Sequence, residues 1–390
     1  MMKTHILVIL LNVCFGLRAQ EKISSKQQWS ERMAQSIMQR NAEPWMIDFM
    51  DHPVWSYPQG LVLLSFQKLS HQTKDDTYYK YAKAYADKLI DAEGTIIGYD
   101  QLSFNIDMIN SGKILFELYD KTKEARYLTV LKTLRQQIEW QPRTTEGGFW
   151  HKLRYPWQMW LDGAYMGTPF IAQYAITFNE PELLEVAANQ LILMNTHLRD
   201  EKTGLLYHGW DESGLQAWSN PENGKSSNFW GRAIGWYAMA VVDALDYFPE
   251  DHPKRTELIA ILSDLLKALE PFQDDKTGLW SQVVNQPQRE GNYGEASATA
   301  MISYAMAKAV NKGYADKELK KTAQKAFEGL VGNLIEVEDN GLINLTKVCA
   351  VAGLSKDRPG TYEYYINEKI RTNDPKGTGP FILAALELNK

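Results

Sequence analysis

The chain has 390 residues, of which 44% are hydrophobic and 23% charged, a composition typical of a globular protein with one large domain or several smaller ones. Its net charge of −6 argues against a nucleic-acid partner and against binding to an anionic membrane. A local cation could still bind a small anionic substrate on this mildly acidic background.

The first 19 residues have the pattern of a secretory signal peptide. A short basic start precedes an apolar run that is too short for a membrane span, and Ala19 offers a small residue for cleavage. We therefore predict an exported protein, periplasmic or secreted, with residues 20–390 as one domain. A lipoprotein anchor at Cys14 fits its motif less well. Cleavage leaves Cys349 as the only cysteine and thus no disulfide.

Helical periodicity fills most of the remaining chain. It begins near Ser24, where Trp29, Met33 and Ile37 follow one another at four-residue spacing. No stretch alternates as a strand of a sizeable sheet would, so we predict an all-α fold with small hairpins at most. The predicted helices cover residues 24–41, 57–69, 75–91, 104–120, 124–140, 160–178, 181–198, 228–247, 253–271, 294–311, 316–335 and 379–389.

Short and long connections alternate between these twelve helices, which indicates six helical hairpins. Several long connections share a glycine-centred phrase, as in residues 203–205 and 277–279, both Thr-Gly-Leu. A recurring unit of this kind is typical of a repeat architecture. Six hairpins can stack as an open solenoid or close into an (α/α)6 barrel. The count of six favours closure, as does Pro380, which we place at the start of the last helix.

In a closed ring the long loops gather on one face, which is where a functional site is expected. Most of the tryptophans belong to this face. Aromatic rings in such loops can stack on sugars, or they can simply pack the loops together. Ten of the twelve lie in or beside the long loops: Trp45, Trp55, Trp140, Trp150, Trp157, Trp160, Trp210, Trp218, Trp230 and Trp280.

Asp162 is the strongest candidate for a catalytic residue. It lies at the start of an apolar helix, directly after a tryptophan-rich loop. A proton donor working near neutrality needs burial to raise its pKa against the lowering effect of a helix N-terminus. The alternative is that Asp162 only caps the helix.

Four further groups belong to the same predicted face. Asp107, Arg232 and Glu295 lie at the starts of other inner helices, and His208 lies in a loop between two aromatic residues. Two aspartates, a cation and a histidine suit acid–base chemistry on an acidic sugar. Each has a structural alternative: helix-start acids for Asp107 and Glu295, a tie to a neighbouring carboxylate for Arg232, and a structural hydrogen bond for His208.

Metal and cofactor chemistry find little support in the sequence. The seven histidines show no metal-ligand spacing, and a single mature cysteine cannot build a zinc or iron–sulfur site. There is no glycine-rich phosphate loop after a strand and no Gly-x-Ser-x-Gly elbow. We therefore predict neither a metal nor a cofactor.

The motifs resemble those of glycoside hydrolase family 105, the unsaturated rhamnogalacturonyl and glucuronyl hydrolases. The resemblance runs from about residue 40 to 390, and its most specific stretches are WLDGAYMGTPF at 160–170 and NFWGRAIGWY at 228–237. Residues 105–112 and 207–211 add support. Members of this family form an (α/α)6 barrel, in agreement with the helix count.

The resemblance implies roles for individual residues. Asp162 matches the general acid/base of the family, and Asp107, His208, Trp230 and Arg232 match positions around the unsaturated uronate. To these we add Trp236, from the same motif as Trp230, as a predicted substrate-binding residue.

The resemblance also implies a substrate class, oligosaccharides left by a polysaccharide lyase with a 4,5-unsaturated uronic acid at the non-reducing end. Family substrates divide between ulvan-type ends, linked to 3-sulfated rhamnose, and rhamnogalacturonan fragments of pectin. We hold the ulvan type slightly ahead. The alternatives are a conventional glycosidase with two carboxylates across a cleft and a non-catalytic oligosaccharide-binding toroid.

Overall fold

The computed structural model describes residues 28–390. The predicted leader at 1–19 and Cys14 lie outside this range. The helices are α1 (Trp29–Arg40), α2 (Tyr57–Thr73), α3 (Asp76–Leu89), α4 (Leu115–Thr122), α5 (Ala125–Trp140), α6 (Leu161–Thr177), α7 (Glu182–Leu198), α8 (Gly231–Ala244), α9 (Arg255–Leu269), α10 (Ala296–Asn311), α11 (Leu319–Leu334), α12 (Tyr362–Asn367) and α13 (Pro375–Leu388). Each of the twelve predicted helices is present.

Four 3-10 segments and six short strands complete the described structure. The 3-10 segments are Pro44–Met46, Gln101–Ser103, Ile106–Ile114 and Glu270–Phe272. The strands pair antiparallel as β1 (Gln158–Trp160) with β2 (Gly209–Asp211), β3 (Ile335–Val337) with β4 (Ile343–Leu345), and β5 (Val348–Cys349) with β6 (Ile370–Arg371). Among these pairs, β3–β4 is a small hairpin of the kind that the sequence allowed, whereas the other two pairs join strands that are distant in the chain.

Six of the helical elements close into a ring. Going round it, α2 packs on the Ile106–Ile114 segment, then come α6, α8, α10 and α13, and α13 packs back on α2. The other helices lie outside: α3 packs on α2, α5 on α4, α7 on α6, α9 on α8, α11 on α10, and α1 on α13. The predicted (α/α)6 barrel is confirmed.

Burial separates the inner helices from the outer ones. Every residue of α8 is buried, whereas α9 buries only a stripe of leucines and isoleucine at three- and four-residue spacing, from Leu258 to Leu269. A helix apolar on all sides is stable only inside a core, whereas a single apolar stripe fits an outer position. The core is therefore the ring itself and the layer between the two shells.

The start of the last inner helix differs from the prediction. Helix α13 begins at Pro375, with Asp374 as its cap, and Pro380 lies inside it. The glycines before Pro380 serve close packing, because a Cβ at Gly377 would lie 2.8 Å from Val348 and one at Gly379 would lie 3.0 Å from Leu61. The prediction from Pro380 therefore placed the start of this helix about four residues too late.

Two further differences concern the long connections. The predicted helix 104–120 begins as the 3-10 segment Ile106–Ile114. In this segment, the side chains of Asn110 and Ser111 donate to the backbone carbonyls of Tyr57 and Ser56 at 2.9 and 2.6 Å. Such side-chain bonds compete with regular helix geometry. Cys349, assigned to a loop, lies buried in β5. The six-residue helix α12 lies in a stretch predicted as loop.

Candidate active site

The β1–β2 ribbon brings Asp162 and His208 together. Trp160 pairs with Gly209 in the ribbon, and the next residue, Leu161, donates its backbone N–H to the carbonyl of His208 at 3.0 Å. Asp162 follows on the first turn of α6. Its Oδ2 lies 3.2 Å from Nε2 of His208. The predicted loop histidine and the predicted acid are thus neighbours.

Asp162 does not cap its helix. The N-cap position is Trp160, and no side chain there accepts a capping hydrogen bond. Oδ2 of Asp162 and Nε2 of His208 are both buried without an aligned hydrogen bond among residues 28–390. The side chain of Asp162 is nevertheless 17% exposed, whereas that of His208 is fully buried. Asp162 is therefore a carboxylate that solvent partly reaches, with one oxygen, Oδ2, buried against His208.

The other ring nitrogen of His208 contacts Tyr365, a residue that the sequence analysis did not single out. The Tyr365 hydroxyl lies 2.8 Å from Nδ1. Trp230, at the N-terminus of α8, covers the His208 ring with 4.7 Å between ring centroids. His208 is thus fixed between an aromatic wall, a hydroxyl and the candidate acid.

Asp107 lies at the start of the 3-10 segment and is held by two cationic or ionisable groups. Its Oδ2 is 2.6 Å from Nζ of Lys152, and its Oδ1 is 3.4 Å from Nε2 of His151. Burial alone would raise the pKa of Asp107, but Lys152 and His151 outweigh this effect and lower it. Asp107 is therefore ionised at neutral pH.

His151 lies between Asp107 and the start of α6. Its ring stacks on Trp160 at 4.6 Å, and its Nε2 faces Asp107. Burial lowers the pKa of His151 to about 4, although Asp107 partly opposes the shift. At neutral pH the imidazole is neutral, so Lys152 is the cation that balances Asp107. The signal available in the sequence was that both residues directly follow the glycine- and aromatic-containing stretch 146–150.

Arg232 and Glu295 form a second pair that is fully buried, at 1% and 0% exposure. Arg232 donates to Ser297 Oγ at 2.7 Å, to the backbone carbonyls of Ala350 and Cys349, and to Glu295 at 3.5 Å. Glu295 caps α10 by accepting from Ala298 N–H at 2.6 Å. This arrangement is the structural alternative considered for both residues, a tie between two inner helices.

The two predicted substrate-binding tryptophans of the α8 motif are also buried. Trp230 and Trp236 are each 1% exposed. Trp230 donates its indole N–H to Gln282 at 3.1 Å, and Trp236 stacks on Tyr165 at 5.0 Å. Both therefore form the wall of the ring near the site, and their roles toward substrate stay predictions.

No group of three or more His, Cys, Asp or Glu side chains within 28–390 has the arrangement of a metal site. Within the same range, no helix combines the length and the apolar character that crossing a membrane requires.

Comparison with known proteins places this geometry in a family. Residues 29–390 match the profile of Glycosyl Hydrolase Family 88. The fold matches a family 105 glycoside hydrolase from C. acetobutylicum with a TM-score of 0.89 and 45% identity, over 93% of this chain and 99% of that one.

Curated relatives agree with this placement. The unsaturated rhamnogalacturonyl hydrolase YesR of Bacillus subtilis is 27% identical over 78% of this chain and 82% of its own length. The unsaturated 3S-rhamnoglycuronyl hydrolase of Formosa agariphila is 24% identical over 66% of this chain and 65% of its own length. The barrel, the exposed acid and these similarities together show that the chain belongs to the glycoside hydrolases of families 88 and 105.

Proposed function

We propose that the protein removes the 4,5-unsaturated uronic acid from the non-reducing end of lyase-generated oligosaccharides, with Asp162 as general acid and base. One observation carries this proposal: Asp162 is a carboxylate reached by solvent in a glycoside hydrolase barrel, and its only hydrogen-bonding neighbour within residues 28–390 is the buried His208. A group that must both give and take a proton needs such availability.

The chemistry needs one carboxyl group for two proton transfers. Protonated Asp162 gives its proton to C4 of the C4=C5 enol ether, which leaves a cation at C5 stabilised by the ring oxygen. Water then adds to C5 and loses a proton to the ionised Asp162. The resulting hemiketal opens to a ketone at C5, and the hemiacetal left at C1 releases the aglycone. One water and the double bond are consumed.

The neighbouring groups support this division of labour. Asp107 is engaged by Lys152 at 2.6 Å and stays ionised, so it suits contact with sugar hydroxyls better than proton donation. A conventional glycosidase would use the second carboxylate as base or nucleophile. Membership of a hydrolase family argues against the alternative of a non-catalytic binding toroid.

The finer proposal concerns the sugar next to the unsaturated residue. Two exposed arginines, Arg154 and Arg358, flank Trp160, and neither is ion-paired with a carboxylate in the described part of the chain. Arg154 packs over Tyr155, which stacks on Trp160 at 4.6 Å. Arg358 and Trp160 both lie close to Gly353. A Cβ atom added at Gly353 would be 3.2 Å from the Arg358 guanidinium and 3.5 Å from the Trp160 ring.

Exposed guanidinium groups near Trp160, two residues before Asp162 in the chain, suit an anionic neighbour such as sulfate. They therefore support the ulvan-type substrate, with unsaturated uronate linked to rhamnose 3-sulfate. The rhamnogalacturonan alternative offers a neutral rhamnose at that position, and the similarity to the unsaturated rhamnogalacturonyl hydrolase of Bacillus subtilis keeps it as the second candidate.

The test offers the purified protein both unsaturated disaccharides and follows the ultraviolet absorbance of the double bond together with release of the aglycone. We expect the absorbance to fall as the aglycone appears. Aglycone release with the double bond retained would instead identify a conventional glycosidase, and no release from either disaccharide would refute the proposal.

The arginines are tested on the same two substrates. Arg154→Gln and Arg358→Gln should lower kcat/KM for the sulfated disaccharide by roughly tenfold, as expected for one lost charge-assisted contact, and spare the unsulfated one. If the wild type prefers the unsulfated substrate, or if both substrates suffer equally, the pectin-type assignment replaces the ulvan type.

A further inference from the structure

The hydrogen bond between Tyr365 and His208 adds a third member to the Asp162–His208 pair. Tyr365 lies on α12, far from both residues in sequence, and its hydroxyl is 2.8 Å from Nδ1 of His208. Nε2 of the same ring is 3.2 Å from Asp162 Oδ2. Tyr365 and His208 are both 0% exposed. A buried imidazole therefore lies between a hydroxyl and a carboxylate.

The position of Tyr365 is fixed by elements that belong to the ring. Its side chain stacks on Trp230 with ring centroids 5.9 Å apart and an interplanar angle of 16°. Its backbone carbonyl accepts from Gln282 Nε2 at 2.9 Å, and Gln282 Oε1 accepts the indole N–H of Trp230 at 3.1 Å. These contacts make Tyr365 a rigid partner for His208, although α12 has only six residues.

The partners determine where the imidazole proton lies. Within residues 28–390 the only hydrogen-bond partner of the buried Tyr365 hydroxyl is Nδ1 of His208, so this O–H donates to Nδ1. In the neutral ring Nδ1 is then the acceptor nitrogen, and Nε2, which faces Asp162, carries the hydrogen. Burial raises the pKa of Tyr365 well above its usual value, which keeps this hydroxyl protonated. Each of the three groups thus has one assigned role.

We propose that Tyr365 is a positioning residue that holds His208 in the tautomer with the proton on Nε2, and thereby keeps the acid proton of Asp162 on Oδ1. This rests on the proposed function of Asp162. In the other tautomer, Nε2 carries a lone pair and accepts the proton of Asp162 through Oδ2, which withholds it from C4. With Nε2–H in place, Oδ2 can only accept, so the transferable proton sits on the other oxygen and passes to C4 from there.

The kinetic test compares two tyrosines of the same helix. Tyr365→Phe should lower kcat by between about tenfold and a hundredfold with little change in KM, because substrate binding is intact and proton delivery is not. Tyr362→Phe is the matched control: Tyr362 is 3% exposed, and its hydroxyl lies 2.9 and 3.0 Å from the carbonyls of Arg289 and Glu290. It should leave kcat unchanged. Equal kcat for the two variants would overturn the proposal.

The spectroscopic test reads the tautomer directly and needs no substrate. In ¹⁵N-histidine-labelled wild type, the His208 signals are assigned by their loss in His208→Gln. We expect Nδ1 to resonate as an unprotonated nitrogen and Nε2 as an N–H nitrogen, with Nδ1–H appearing in Tyr365→Phe. An Nδ1–H in the wild type would overturn the proposal even if the Phe variant failed to fold. Failure of the wild type to consume the double bond would refute the proposed function and leave this tautomer result standing.

Discussion

Two carboxylates, Glu295 and Asp162, lie at the starts of inner helices and each faces a basic side chain, but their environments differ sharply. Glu295 faces Arg232 with both side chains buried, and it also accepts from Ser297 Oγ, Ala298 N–H and Cys349 N–H. Asp162 has a single hydrogen-bonding neighbour in the described chain, Nε2 of His208 at 3.2 Å, and remains 17% exposed. The charges of Glu295 and Arg232 are satisfied by each other and by hydrogen bonds within the protein. The carboxylate of Asp162 instead remains partly accessible to a ligand. Catalytic function is expected at Asp162.

The largest effect in this comparison should come from Asp162→Asn. The amide keeps the shape but cannot give or take the proton, so we expect turnover to fall by about a hundredfold or more. Since His208 is the only hydrogen-bonding neighbour of the carboxylate within residues 28–390, and an amide oxygen can take the place of Oδ2, the free energy of unfolding should change by less than about 1 kcal/mol. Loss of double-bond absorbance and urea unfolding measure the two quantities. Near-normal turnover of Asp162→Asn would show that Asp162 is not the catalytic acid.

Glu295→Gln should show the opposite pattern. Removing one charge of a fully buried pair leaves Arg232 unpaired in the core and should cost about 3–5 kcal/mol of stability. Activity per folded molecule should be retained, because the pair lies within the protein's own hydrogen bonds. Urea unfolding together with kcat of the folded fraction checks this. Intact stability combined with a selective loss on uronides would return Arg232 and Glu295 to the substrate site.

The pH dependence of stability sharpens the comparison around Asp107. Since burial lowers the folded-state pKa of His151 from 6.5 to about 4, the unfolded chain binds this proton first as the pH falls. The contribution is present above about pH 6.5 and is lost as the pH falls to about 4. Its size is on the order of 3 kcal/mol.

His151→Gln should remove this part of the pH dependence. Urea unfolding at a series of pH values measures it, and His52→Gln is the control because the His52 side chain is 68% exposed. Identical pH curves for wild type and His151→Gln would show that His151 is not held neutral in the folded protein.

The smallest effect should follow from chelator and reductant. The sequence predicts no metal and no disulfide, and Cys349 is buried in a strand. Activity should therefore be unchanged after EDTA and after dithiothreitol. A loss in EDTA would reassign Asp107 and Asp162 as metal ligands, and a metal-bound Asp162 could not serve as proton donor.

The periodicity of the sequence predicted the helices, and the count of six hairpins favoured a closed barrel over an open solenoid. The inner and outer helices differ in how much of their surface is apolar, and the spacing of apolar residues in the sequence shows this difference. The start of α13 was misplaced because Pro380 resembles a helix start, whereas Asp374 and Pro375 provide the real one. The form of the 3-10 segment depends on contacts of Asn110 and Ser111 with α2, which no local pattern records.

Site residues that lie in local sequence motifs could be predicted, whereas residues that reach the site only through the tertiary fold could not. Asp162 and His208 stand in dense aromatic motifs, and the structure brings them together. Tyr365 could not be predicted, because it lies on a six-residue helix within a long connection and reaches His208 only through the closed ring. The burial of Arg232 against Glu295 likewise depends on two helices distant in sequence.

The central claim is that Asp162 delivers a proton to C4 of an unsaturated uronate. Turnover in D₂O, sampled at initial rate and read by NMR, tests it most directly. The account predicts that each released aglycone is matched by one deuterium on a single face of C4, and that Asp162→Asn forms this product at least about a hundredfold more slowly. Release of a sugar whose C4=C5 bond is intact and free of deuterium would contradict it.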